Sequence, residues 1–126
     1  MLVQVAQLAA MVASMSAYHH GEAAMSGSIV GLAQNFVGSN NINLLRPIGQ
    51  FGTRLQGGKD AASARYIYTK LEAITRKIYH PLDDALLTYQ NEDGQLVEPT
   101  WYAPASLLFF FKNSFLAQLR LPIHSI

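Results

Sequence analysis

The sequence predicts an α+β fold, mainly helical, with one small β-hairpin, and three observations carry that prediction. Apolar residues recur at helical spacing in two neighbouring stretches, Val5, Leu8, Ala9 and Val12, then Met25, Ile29, Leu32, Ala33 and Phe36. A long stretch rich in Gly, Asn and Ser follows them. Further on, two short runs at 86–90 and 95–101 flank Asn91-Glu92-Asp93-Gly94, whose Asp-Gly pair is a hairpin-turn signal.

Taken in order, the first periodicity predicts an amphipathic helix over 4–17 and the second a helix over 22–36, broken between them by Tyr18-His19-His20-Gly21. Two helices joined by a tight glycine-containing turn have the form of a helix-turn-helix, a form many helical hairpins share. From Gly38 to Gly58 the turn formers accumulate, including Asn40, Asn41, Pro47, Gly49, Gly52 and Gly57, and predict a long loop. Arg65–Thr69 reads as a short strand with Tyr66 and Tyr68 on one face and Ile67 on the other. Leu71, Ile74, Ile78 and Tyr79 make a third helical stripe that Pro81 closes, and Pro99 marks the second hairpin strand as an edge. Helix-turn-helix, basic loop and following strand together suggest a winged-helix module.

At 126 residues the chain is one ordinary domain or a piece of a larger protein. Half its residues are hydrophobic and 13% are charged, against about 25% in typical soluble domains, so its faces want partners. With no cysteine there is no disulfide framework or thiolate metal site, and His19, His20, His80 and His124 lack zinc spacing. The N-terminus has no signal-peptide pattern. The apolar run Ala103–Phe111 is interrupted by Lys112 and Asn113, short of the ~20 residues of a transmembrane helix, so no membrane role is expected.

Charge is segregated along the chain even though the net is only +1. Residues 46–80 carry seven basic and two acidic side chains, a net of +5, while residues 81–104 carry five acidic ones and no basic one. The basic segment contains Gly57-Gly58-Lys59-Asp60-Ala61-Ala62-Ser63-Ala64-Arg65-Tyr66, in which a glycine pair permits close approach to a ligand and Lys59 and Arg65 supply charge that attracts a phosphodiester. Tyr66 admits two readings. It is either a strand tyrosine packing its ring, or a nucleophile whose phenolate a neighbouring arginine stabilises. His19 and His20 are turn residues, or one of them donates to a phosphate or relays a proton. Ser39, Asn40, Asn41 and Asn43 form an ordinary polar loop or touch phosphate and sugar through neutral hydrogen bonds. Asp83, Asp84, Glu92 and Asp93 lack a calcium-loop spacing, and Gly49-Gln50-Phe51-Gly52 is not a phosphate loop.

Several long strings, Ala17-Tyr18-His19-His20-Gly21-Glu22, the run from Leu32 to Leu45 that contains Gln34-Asn35-Phe36-Val37-Gly38-Ser39-Asn40-Asn41, Gly49–Arg54, and Gly57–Ala62 with Arg65-Tyr66-Ile67, together resemble the eukaryotic type II DNA topoisomerase family. The likeness runs from about Gln4 to Pro104 and is to the winged-helix part of the breakage-reunion core; Thr75–Pro81 looks most like fungal members. The resemblance implies that Tyr66 attacks a DNA phosphodiester and becomes linked to the 5′ phosphate, that Arg65 steadies that phosphate, and that His20 lies near it. It implies that residues 22–36 are the helix presented to DNA and that Gly38–Ala64 supplies wing and backbone contacts, with Asn40, Asn41, Arg54 and Lys59 as DNA-binding residues. Double-stranded DNA is then the partner, a homodimer the assembly of the complete family enzyme, and the nucleus the location. Mg²⁺ and ATP belong to that complete enzyme; no cofactor is expected on this fragment, which shows neither a Walker-like motif nor the acidic metal motif of the family. After Trp101-Tyr102-Ala103-Pro104 the resemblance stops. Residues 1–104 are therefore expected to form a partial winged-helix breakage-reunion segment, and Ala105–Ile126 a divergent, non-native tail. Apart from an incomplete piece of an ATP-dependent topoisomerase, the alternatives are a non-catalytic DNA-binding module and an inactive truncated product.

Overall fold

The computed structural model describes residues 1–100, apart from Ala17, His19 and the side chain of Glu98. The Trp101–Pro104 element and the expected tail at 105–126 lie outside the described residues, as does His19.

The chain opens with a two-residue strand, β1 (Val3–Gln4), that runs directly into helix α1 (Val5–Met15); helix α2 is Glu22–Ala33. Val5 and Ala9 from α1, and Ile29 and Ala33 from α2, each one helical turn apart, are the buried positions of the two helices. They close on Phe51 and Ile67, and these six residues are the core. Burying side chains the size of Val5, Phe51 and Ile67 stabilises the fold by about 1.5–3 kcal/mol each.

The sheet beside the helices has strand order β1-β3-β2, all antiparallel, with β2 at Leu45–Ile48 and β3 at Tyr68–Leu71. Strand β2 lies inside the stretch predicted as loop. Pro47 disguises it in the sequence, yet Pro47 sits on an edge strand opposite Thr69, where a missing N–H costs no interior ladder bond. Thr69 is fully buried and its hydroxyl donates to the Arg46 carbonyl at 2.9 Å. Thr75, also buried, donates to the Leu44 carbonyl.

Three predicted boundaries move, each for a tertiary reason. Helix α2 stops at Ala33 rather than Phe36, because Gln34 turns extended (φ −60°, ψ 128°). The strand predicted at Arg65–Thr69 begins at Tyr68, and residues 64–66 form a turn closed by the Tyr66 N–H on the Ser63 carbonyl at 2.9 Å. Tyr66 and Tyr68 therefore do not share a strand face. Leu71, read as part of a third helical stripe, pairs with Leu45 in the sheet, which shortens that helix to α3 (Thr75–Ile78). Pro81 follows and opens a 3-10 helix, Pro81–Leu86.

The predicted hairpin is present as β4 (Tyr89–Glu92) and β5 (Gln95–Pro99), with a bulge between Tyr89 and Asn91. Asp93 (φ 49°) and Gly94 (φ 84°) supply the two positive φ angles of a tight primed turn. The described fold is thus α+β, with two small antiparallel sheets, and among the described residues no helix is long and apolar enough to cross a membrane.

Candidate functional site

The turn at 64–66 carries an exposed pair of side chains on a pinned backbone. Tyr66 is 65% exposed, and the Arg65 guanidinium lies over its ring, 4.8 Å from the centroid. The Tyr66 hydroxyl has no hydrogen-bond partner among the described residues. Beneath the pair, three consecutive residues at the start of α1 reach the turn: the Gln4 side-chain amide donates to the Arg65 carbonyl at 2.6 Å, the Val5 N–H to Ile67 at 3.0 Å and the Ala6 N–H to Ala64 at 3.1 Å. The orphan N–H groups of a helix's first turn are satisfied here by the chain that presents Tyr66.

Next to this turn, residues 50–62 fold into a tight loop with Arg54 and Lys59 exposed on it. Four devices close it. The Gln34 amide donates to the Phe51 and Gly58 carbonyls at 2.9 and 3.1 Å, tying both ends to the end of α2. Asp60 accepts from the Thr53 N–H and the Thr53 hydroxyl, both at 2.7 Å. These donors, the hydroxyl first, hold the Asp60 carboxyl below the ordinary aspartate value. The Ala62 N–H donates to the Gln50 carbonyl at 2.9 Å. Finally, Gly52 (φ 105°) passes so near Gly58 that a Cβ there meets the Gly58 carbonyl oxygen at 2.6 Å, which only glycine avoids.

The basic segment is less uniform than its charge count. Arg46 makes a bidentate pair with Glu72 at 2.6 and 3.0 Å, which pushes the arginine up and the glutamate down, and Arg76 pairs with Asp84 at 2.8 Å. Arg54, Lys59 and Arg65 have no carboxylate partner among the described residues. Lys70 and Lys77 likewise form no salt bridge among the described residues, so five cations of the segment are left to attract an anion, and Arg54, Lys59 and Arg65 are those on the 50–62 loop and the 64–66 turn.

The other candidates are placed as follows. His20 is exposed just ahead of α2 and meets Tyr18 edge-on, centroids 5.4 Å apart; no hydrogen bond, ion pair or ring contact joins it to Arg65 or Tyr66 among the described residues. Asn40 is exposed with φ 49°. Asn41 sends its amide to the Gly31 and Gln34 carbonyls, both at 3.0 Å, so its donors cap the end of α2. No group of three or more His, Asp or Glu side chains comes together among the described residues. Sequence reasoning missed Gln4, Gln34, Thr53 and Asp60, polar residues whose roles depend on partners distant in the chain, such as Arg65 for Gln4.

The family model for the A-type subunit of DNA gyrase/topoisomerase IV matches residues 2–107. Over 102 residues, 81% of this chain, the sequence is 69% identical to DNA topoisomerase 2 of Drosophila melanogaster and 63% identical to that of Saccharomyces cerevisiae. The match spans about 7% of the length of either relative. A crystal structure of the Plasmodium falciparum topoisomerase II DNA-binding, cleavage and re-ligation domain superposes with a TM-score of 0.77 at 55% identity, covering 82% of this chain and 14% of that one. With a pinned Arg65–Tyr66 turn, an exposed basic loop and a family match over most of its length, this chain belongs to the family of DNA gyrase/topoisomerase IV A-type subunits.

Proposed function

We propose that the chain is a piece of a type II DNA topoisomerase that binds duplex DNA and carries the tyrosine of strand cleavage, in a winged-helix arrangement of α1, α2 and the 50–62 loop. The observation that carries this reading is the Arg65–Tyr66 turn: an exposed phenol with a guanidinium 4.8 Å from its ring centroid, set beside a loop bearing Arg54 and Lys59. A phosphodiester drawn by these cations is met by the phenol at close range. The Tyr66 oxygen attacks phosphorus, the bond from phosphorus to the 3′ oxygen breaks, and the strand's 5′ phosphate stays on tyrosine while the other end leaves as a 3′-hydroxyl. The phenolic proton passes to water or to His20, the leaving 3′ oxygen takes a proton from water, and resealing is the reverse step. Arg65 swings from the ring to the phosphate oxygens, where charge grows in the transition state. Arg54, Lys59 and Asn40 are backbone-positioning contacts, without sequence readout, and Asn41 holds the loop beside Asn40 against the end of α2. The setting of this reading is a nuclear, homodimeric parent enzyme, with ATP and Mg²⁺ handled by parts other than the described segment.

The test mixes the full chain with the part of Saccharomyces cerevisiae DNA topoisomerase 2 that precedes the matched stretch, together with end-labelled duplex DNA in magnesium buffer. A covalent protein–DNA adduct through the 5′ phosphate is expected, absent in Tyr66→Phe. No adduct with the unaltered chain, or an adduct that persists in Tyr66→Phe, overturns the reading.

A further inference from the structure

Tyr66 and Arg65 share one peptide unit, and the acceptor of that unit is the Arg65 carbonyl. The donor it meets is the Gln4 Nε2, at 2.6 Å and 61 residues away in sequence. Among the described residues the remaining bonds around the turn are backbone bonds: Val5 to Ile67, Ala6 to Ala64, and Tyr66 to Ser63. Gln4 is therefore the side chain that fixes the plane linking the two residues proposed to meet the phosphate.

Gln4 is also held in place itself. It lies in β1 opposite Tyr68 and is the residue before α1, with extended backbone angles (φ −68°, ψ 139°), so its main chain is tied to the same β3 segment that its side chain reaches along. As an N-cap it makes no side-chain bond to its own helix, where Ser, Thr, Asp or Asn is the usual choice. Its amide is directed instead across to Arg65. A donor on the Arg65 carbonyl also polarises the same peptide's N–H, which strengthens the Tyr66 bond to Ser63.

We propose that Gln4 is a positioning residue for the Arg65–Tyr66 pair, setting the orientation of their common peptide so that phenol and guanidinium converge on one phosphate. This rests on the reading of Tyr66 as the attacking group. What the site requires of residue 4 is a donor at the reach of a glutamine amide, not a particular charge. Methionine supplies the length without a donor. Glutamate supplies the shape with an acceptor facing the carbonyl, and lysine supplies a donor on a stem of similar reach.

The experiment compares Gln4→Met, Gln4→Glu and Gln4→Lys with the unaltered chain and with Tyr66→Phe in the adduct assay above, and measures DNA affinity and amide exchange on the full chain. Gln4→Met and Gln4→Glu are expected to slow adduct formation about tenfold, below the roughly 10²-fold that an ångström of misplacement costs. Gln4→Lys is expected to restore the rate to within about twofold, as a donor at position 4 requires. DNA affinity of Gln4→Met should match the unaltered chain, because the Gln4 amide faces a carbonyl and not the DNA. In Gln4→Met the Tyr66 amide should exchange several times faster while the Ile67 amide is unchanged. Full-rate cleavage by Gln4→Met, failure of Gln4→Lys to recover, or unchanged Tyr66 exchange overturns the positioning role and leaves Tyr66 in place. An adduct in Tyr66→Phe overturns the reading of Tyr66, and Tyr66 exchange then judges Gln4 by itself.

Discussion

Two antiparallel ladders in this molecule, the β1-β3-β2 sheet and the β4–β5 hairpin, are held by different forces. In the first, Thr69 is 0% exposed, and Ile67, the residue before β3, is 1% exposed and packs with residues of both helices in the core. In the second, no described residue from 80 to 100 is buried, and Leu96 is 69% exposed. The hairpin owes its register to a local turn, Asp93-Gly94, whose Gly94 N–H donates to the Asn91 side chain at 2.9 Å. The sheet owes its register to burial, since a one-residue slip turns Thr69 and its neighbours to the wrong face. Charge divides along a similar line, with seven basic and two acidic residues at 46–80 and five acidic and no basic ones at 81–104, which holds the 3-10 helix and the hairpin. The part that is rigidly built is the part that carries the candidate chemistry, which fits the need of a reacting group for a fixed platform.

The sharpest way to break this contrast is to empty one position in each ladder. Ile67→Ala removes a side chain from the core directly after Tyr66 and is expected to cost about 2–5 kcal/mol, enough to unfold much of a domain this small. Leu96→Ala on the hairpin should stay within about 0.5 kcal/mol. Urea denaturation followed by circular dichroism measures both. Comparable losses at the two positions mean that the hairpin has a buried face after all.

The same contrast explains what was legible in the sequence. Helices α1 and α2 follow from an apolar period that needs no knowledge of their partners, and the hairpin follows from Asp93-Gly94. The sheet was legible only at β3, where the strand expected at Arg65–Thr69 overlaps the one formed by Tyr68–Leu71. β1 is two residues long, β2 is broken by Pro47, and β3 includes Leu71, which continues an apparent helical stripe. β1 and β2 become strands because β3 is there to pair with both. At the candidate site, the identities of Arg65, Tyr66, Arg54 and Lys59 could be read from local charge and from the family strings. The supports of Gln4, Gln34 and Asp60 could not, because a glutamine or aspartate shows no partner until the chain has folded. Arg46 illustrates the opposite case: it counts among the basic residues, yet Glu72 occupies its guanidinium.

That pairing leads to a second, smaller effect, which concerns binding rather than folding. Replacing Arg54, Lys59 and Arg65 together with alanine is expected to flatten the dependence of DNA affinity on salt by roughly one unit of slope per lost phosphate contact. Arg46→Ala should leave the slope unchanged, as should Glu92→Gln on the hairpin. Mobility shift of the full chain on duplex DNA at several salt concentrations reads the slopes. An unchanged slope in the triple variant takes those residues off the DNA backbone, and a flattened slope in Arg46→Ala means that the Glu72 pair opens to DNA.

The smallest expected effect is a local one at Asp60, and it distinguishes the clamped loop from the rest of the platform. In the folded chain the Thr53 hydroxyl and N–H stabilise the charged carboxylate, so its pKa lies below the ordinary value. A carboxyl lowered on folding adds stability that is complete above the unfolded-state value, about 4 for aspartate, and that is lost as pH falls through the lower, folded value. Acid should therefore loosen the loop, while the core residues Val5, Ile29 and Ile67, which hold no titrating group, keep their protection. Protection of the Thr53 and Gly58 amides, taken relative to the intrinsic exchange rate at each pH, is expected to fall as the pH drops below that range, ahead of protection at Ile29. In Asp60→Asn the pH dependence should vanish, because the amide oxygen still accepts from the Thr53 N–H but no longer titrates. If Thr53, Gly58 and Ile29 lose protection together on acidification, the loop is not a separately closed unit, and Arg54 and Lys59 are held by the core alone.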